Sequence, residues 1–246
     1  MIIGSKIIFC QNLPSTNTYA AQLLKNDNPP EGVIIYTNFQ SAGTGQMGNK
    51  WESEDGKNLL VSIILFPAMI NPEEQFILSM SISLGICDFL GRHIPLCTIK
   101  WPNDIYVNDD KIAGILIENS IMGHTIENTI AGIGLNINQE KFESDAPNPT
   151  SLRLLTGREY DLAISLSQMA ADIDRRYKQL LSGKEAELKS DYISLLYRLK
   201  EWHGFKTETG TFTGRIISVT GIGSLLVEDQ QGTNHEFSFK EVEFIP

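Results

Sequence analysis

The sequence predicts an α/β chain of the α+β kind, with helices on a mixed, largely antiparallel sheet and a small β-barrel at the C-terminus. Three observations carry that expectation. Strand-like segments between residues 98 and 137 are separated by only a few residues, whereas a parallel crossover needs about a dozen. Apolar residues recur at helical spacing between strands, as in Phe76, Met80, Leu84 and Cys87. From about residue 203 the chain turns to short Thr-, Val- and Phe-rich runs punctuated by Gly210, Gly214, Gly221, Gly223 and Gly232, the pattern of a small barrel.

In chain order, residues 2–10 read as a strand. Residues 15–24 read as a helix opened by a Ser/Thr cap and stopped before Asn28-Pro29-Pro30. GVIIYT (32–37) is a buried strand. A glycine-rich loop runs from there to Asn58, and residues 59–66 form a strong second strand. Residues 72–90 are helical. Strands at 98–101 and 105–107 flank Pro-Asn-Asp, Asn108-Asp109-Asp110 turns into a strand at 111–118, and 129–137 closes the set. Residues 147–156 are a connector, and 161–181 and 185–200 are helices. The domain division expected is 1–202 and 203–246, with the tail too small to stand alone and leaning on the main body.

Composition narrows the function. The 246 residues carry 30 Asp and Glu against 20 Lys and Arg, a formal charge of -10. That argues against a general nucleic-acid binder, which needs a basic face. Cys10, Cys87 and Cys97 are odd in number and unpaired in spacing, so a disulfide scaffold or thiolate metal site is not expected, and a reducing compartment fits. The four histidines have no metal spacing. The N-terminus lacks a secretory signal, and the longest apolar run, 59–70, is broken by Ser62 and Pro67, so the expectation is a soluble cytoplasmic protein without a membrane partner.

Three segments carry chemistry. Gly43-Thr44-Gly45-Gln46-Met47-Gly48 matches G-x-G-x-x-G after a strand, but NKWESEDGKN follows it instead of a helix, so a dinucleotide fold is rejected. A strand–loop–strand of this kind can converge backbone N–H groups on an anion, with Gln40 before it and the aromatic Trp51 after it; the plainer reading is a mobile surface loop. Lys100-Trp101-Pro102-Asn103-Asp104 makes a rigid turn, and Lys111 enters the next strand just before Gly114. Two lysines on adjacent strands near such a loop suit a phosphate and carboxylate clamp; Asn103 and Asp104 alone would serve as turn formers. In GIGLNIN, Gly132 and Gly134 share one strand face, as do Asn136 and Asn138, leaving space and amides for phosphate or a hydrated metal.

Ser15-Thr16-Asn17, the Q-x-x-G-x-G-x-x-G-x-x-W stretch 40–51, KWPNDIYV, KIAGILIE and GIGLNIN together resemble biotin protein ligases, in order and spacing, over essentially the whole chain. The resemblance implies a catalytic domain similar to class II aminoacyl-tRNA synthetases and an SH3-like C-terminal domain. It implies that biotin and MgATP give biotinyl-adenylate and pyrophosphate, and that biotin then passes to a lysine of a biotin carboxyl carrier domain. The protein's part is alignment and charge neutralisation.

By the same resemblance, Ser15, Thr16, Asn17 and Gln40 line the biotin head group, and Gly43, Thr44, Gly45 and Gln46 close over biotin, with Gly114 alongside. Trp51 packs against adenine. Lys111 holds the biotin carboxylate and α-phosphate, Lys100 and Asn103 assist the phosphates, Asp104 holds the site or its magnesium, and Asn136 meets the phosphate–metal cluster. Lys240 is matched to a basic residue that reaches phosphate in relatives; a solvated Lys240–Glu241 pair is the plainer reading.

Two departures stand out. Thr44, Gln46 and Asn49 occupy positions where many members carry arginine, so a looser hold on the adenylate is expected unless Lys50 or Lys57 substitutes. The winged-helix domain that precedes some members is not expected, nor a repressor role. A homodimer through a sheet edge occurs in the family. A lipoate or octanoate ligase or transferase shares the fold, and a catalytically silent biotin sensor is the reading from another class; the hydroxyl- and amide-rich head-group residues favour a ureido ring over a fatty chain.

Overall fold

In the computed structural model, residues 1–143 and 148–245 are described; Pro147, the first residue of the expected connector, lies outside them. The elements follow in chain order as β1 (Ile7–Leu13), α1 (Thr16–Asn26), β2 (Ile34–Gln40), β3 (Leu59–Leu65), α2 (Phe76–Leu90), β4 (Thr98–Lys100), β5 (Asp104–Val107), β6 (Asp110–Met122) and β7 (Thr125–Leu135). Then come α3 (Leu152–Thr156), α4 (Leu162–Leu181), α5 (Glu185–Ser194), β8 (Trp202–Thr207), β9 (Gly210–Val219), β10 (Leu225–Asp229), β11 (Asn234–Phe237) and β12 (Glu243–Phe244).

The first seven strands form one sheet in the order β1-β2-β3-β7-β6-β5-β4. Only β1 and β2 are parallel, with α1 as their crossover, and every other pairing in this sheet is antiparallel, as the short gaps require. Strand β3 is buried along its whole length, and its alternation divides the protein into layers. Leu59, Val61, Ile63 and Leu65 join the main core with α2 and α4, while Ile64 joins Ala20 of α1 in a smaller core on the opposite face. Helix α2 is buried almost throughout, and Gly85 lets α4 approach: a Cβ there would fall 2.6 Å from Ile173 Cα.

The structure moves several expected boundaries. The first strand starts at Ile7 rather than residue 2, because Gly4 turns the chain at φ +84° and the backbone N–H groups of Ile2 and Ile3 donate to Asp174 Oδ1 at 2.6 and 2.9 Å. Ile3 is thereby fully buried and plugs the core instead of extending β1. Part of the expected connector is α3, whose N-terminus is capped by Ser151 accepting from the Leu154 N–H at 3.2 Å and whose end is turned by Gly157 at φ +70°. The last long helix stops at Ser194 instead of running to residue 200. Beyond it the chain lies along β4, with the Ile99 N–H donating to Leu195 O and the Tyr197 N–H to Ile99 O.

In the tail the expected small antiparallel unit is present, and only its closure is corrected. Its strands form an open five-stranded antiparallel sheet, β11-β10-β9-β8-β12, and not a closed barrel. The outer strands, of four and two residues, are too short to close the structure, and the apolar face packs on the main body instead. Phe205, Ile216, Leu225 and Val227 belong to the same buried cluster as α2 and β3. Trp101 donates its Nε1 hydrogen to Gly223 O at 2.8 Å across this junction. No helix among the described residues is long and apolar enough to cross a membrane.

Candidate active site

On the α1 face of the large sheet lies a cleft of about 220 Å³. The start of α1 closes one end. Strands β6 and β7 form the floor, the loop after β2 the roof, and the turn before β5 the far wall. Of the residues expected at the site, Ser15, Thr16, Asn17, Gln40, Thr44, Gly45, Gln46, Trp51, Asn103, Asp104, Lys111 and Gly114 all line it.

The closed end is polar and tightly bonded. Ser15 stands at the N-cap of α1 but makes no capping bond with its side chain. Gln40 serves instead, its Oε1 accepting from the Thr16 N–H at 2.7 Å and from Thr16 Oγ1 at 3.0 Å. That satisfies one of the helix's orphan donors and leaves the Gln40 amide hydrogens for a ligand. Asn17 is held by Ser62, which donates to its Oδ1 at 2.6 Å, and by Glu118, which accepts from its Nδ2 at 2.7 Å.

The floor owes its shape to glycine. Gly114 and Gly134 are register partners on β6 and β7, and the Trp51 indole lies over both. A Cβ on Gly134 would sit 2.3 Å from Trp51 Cε2, and one on Gly114 would sit 2.9 Å from Cζ3. The space over Gly114 is thus filled by a side chain of this protein. Trp51 Nε1 is buried and has no hydrogen-bond partner.

At the far wall, Lys111 Nζ pairs with Asp104 Oδ1 at 2.7 Å, with each side chain about a quarter exposed (24% and 25%). The same ammonium lies 5.7 Å from the Trp51 ring centroid. Asn103 Nδ2 donates to Ile115 O, which pins the turn to β6. Lys50 also lines the cleft and brings a second cation, whereas Lys57 does not. Asp104 is the one carboxylate among the described lining residues, and no cluster of three or more His, Cys, Asp or Glu exists among the described residues. Magnesium commonly takes one or two carboxylates together with substrate phosphates, so this donor set fits an ion that arrives on a triphosphate.

Three expected residues stand back from the lining. Gly43 lies behind the roof, against Gln40. The Asn136 amide donates to Thr150 O at 2.9 Å and fixes the segment before α3, with its Oδ1 buried and unpartnered. Lys100 donates to Tyr106 Oη at 3.2 Å and sits among the rings of Tyr106, Tyr197 and Phe244 at 4.8, 5.8 and 5.3 Å. Burial pulls its ammonium below the usual lysine range, with Asp104 acting in the opposite sense. Ser62 and Glu118 were missed in the sequence, although a lone hydroxyl in the apolar run LLVSIIL was a signal.

The sequence profile of the Biotin/lipoate A/B protein ligase family matches residues 9–136, just over half of the chain. The bifunctional ligase/repressor BirA of Bacillus spizizenii is 29% identical over 245 residues, covering 96% of this chain and 74% of the relative. The biotin--[acetyl-CoA-carboxylase] ligase of Paracoccus denitrificans is 28% identical over 228 residues, with 89% and 92% covered. Among solved structures, the biotin protein ligase of Aquifex aeolicus in complex with biotin and ATP superposes with a TM-score of 0.79 at 26% identity, covering 98% of this chain and 99% of that one. With more than half of its length matched by the family profile, the chain belongs to the Biotin/lipoate A/B protein ligase family.

Proposed function

We propose that this protein is a biotin protein ligase, activating biotin with MgATP and passing it to a lysine of a carrier domain. The observation that carries the reading is a single cleft running from a hydroxyl and amide end (Ser15, Thr16, Asn17, Gln40) to the Lys111–Asp104 pair. That spacing of groups suits an acid with a polar ring at one end and a carboxylate at the other. An octanoyl chain would leave the amides unpaired.

In the first step a biotin carboxylate oxygen bonds to the α-phosphorus and the bond to the β-phosphate oxygen breaks, releasing pyrophosphate. Lys111 neutralises charge on the carboxylate and α-phosphate, and it leaves Asp104 to do so. Asp104, once free of Lys111, would help hold a magnesium ion carried by ATP, which would offset the charge of the triphosphate. In the second step the carrier amine attacks the acyl carbon and AMP departs, so no covalent enzyme intermediate is needed. Lys50 takes the place of the missing loop arginines, Trp51 moves toward adenine, and Lys100, Asn103 and Asn136 act at the phosphate side. The same reading divides the chain into a catalytic part, 1–202, and a second domain, 203–246.

Pyrophosphate release from MgATP, with biotin, lipoate or octanoate as the acid, tests this. Release with biotin is expected, falling about 100- to 1,000-fold in Lys111→Ala. Release only with lipoate or octanoate would reassign the substrate.

A further inference from the structure

Three strands converge on one carboxamide at the closed end of the cleft. Asn17, only 6% exposed, takes a hydrogen bond from Ser62 of β3 on its Oδ1 and gives one from its Nδ2 to Glu118 of β6. Gly132 of β7 is the register partner of Ser62 and makes the room: a Cβ there would lie 2.3 Å from Asn17 Oδ1.

The two ends of an asparagine amide have nearly the same shape and opposite hydrogen-bonding character. Ser62 can donate or accept, so alone it would tolerate either orientation of the amide. The carboxylate of Glu118 only accepts, so it decides that Nδ2 turns toward β6 and Oδ1 toward β3. What faces a ligand is then one remaining Nδ2 hydrogen and one remaining Oδ1 lone pair, in fixed places.

We infer that Glu118 is a positioning residue that sets the Asn17 amide for a ureido-bearing acid, acting through Asn17 rather than on the substrate. This rests on the biotin reading of the cleft. Loss of the carboxylate frees the amide to flip, and a donor then meets a donor at the head group, at the cost of a buried unpaired group.

Calorimetric biotin binding to the full chain, with thermal melts on every variant, tests the inference. Glu118→Leu is expected to weaken biotin about tenfold, with the KM for ATP at saturating biotin changing less than about twofold. Glu118→Gln, whose own amide can present an oxygen or an N–H and so no longer dictates the orientation of Asn17, is expected to bind biotin with an affinity between those of Glu118→Leu and wild type, and it stands in if Glu118→Leu fails to fold. Ser62→Ala, nearly isosteric, leaves Glu118 to fix the amide and is expected to weaken biotin less than Glu118→Leu does. Unchanged biotin affinity in Glu118→Leu, or full wild-type affinity in Glu118→Gln, overturns it. A wild-type chain that binds biotin, shows this pattern and releases no pyrophosphate refutes the ligase reading while supporting the role of Glu118; one that binds no biotin refutes both.

Discussion

Glycine at position 134 decides where Trp51 can be. The indole lies over the Gly114–Gly134 pair with its N–H buried and unanswered, an arrangement that costs stability unless a ligand or a shifted ring later satisfies it. A methyl group at 134 would overlap the ring, with its Cβ 2.3 Å from Cε2, so the indole must shift to make room. Gly134→Ala is therefore expected to lower stability by about 1–3 kcal/mol through overpacking and to push the indole toward water. The checks are the thermal midpoint and the tryptophan emission maximum, which should move to longer wavelength. Unchanged midpoint and emission would mean that the ring does not rest where the glycines place it. At this scale the glycine spacing was readable in the sequence as reserved space, but not its occupant. Nothing in a local pattern tells that Trp51, more than 60 positions before Gly114, folds back over it.

The helices opposite the cleft are tied by charge as well as by packing, and here the pH dependence can be argued. The Asp172 side chain of α4 is fully buried and accepts from Arg92 at 2.9 and 2.6 Å and from Arg175 at 2.5 Å. Burial alone would raise its carboxyl, yet the hydrogen bonds from the two guanidinium groups prevail and hold it below its usual value of 3.8. A carboxyl depressed in the folded state adds stability above its unfolded value, and that stability is lost as pH falls through the folded one. Asp172→Asn should thus cost about 1.5–3 kcal/mol at neutral pH, and the gap to wild type should narrow below about pH 4. Melting both proteins across the acid range decides it, because a gap that stays constant would assign the cost to packing alone. The elements themselves were largely legible: the antiparallel order follows from gap length, and α2 from its apolar spacing. The misplaced ones, the start of β1 and the end of α5, were decided by distant partners, Asp174 and the edge of β4. The aromatic surroundings of Lys100 were hidden for the same reason, since Tyr197 and Phe244 arrive from about 100 and 140 residues away.

Across the whole molecule, the question is whether two sheets make two cooperative units. The C-terminal sheet is too small to stabilise itself, and its apolar face shares one buried cluster with the large sheet. One of its grips is on Trp101, whose N–H reaches Gly223 O and whose ring lies 5.3 Å from Phe239. Trp101 immediately precedes Pro102 and Asn103, which line the cleft, so the same residue joins the tail to the wall of the site. Wild type is expected to unfold in a single calorimetric transition, with van't Hoff and calorimetric enthalpies equal. Trp101→Phe keeps the aromatic packing and removes the bond, leaving a carbonyl unpaired, and should lower the single transition by about 1–2 kcal/mol without splitting it. If the tail instead melts first and separately, the shared core is not a thermodynamic unit. In that case the variant should loosen the tail while leaving pyrophosphate release intact. One transition, with activity and stability falling together, would show that the C-terminal sheet is part of what holds the cleft in shape.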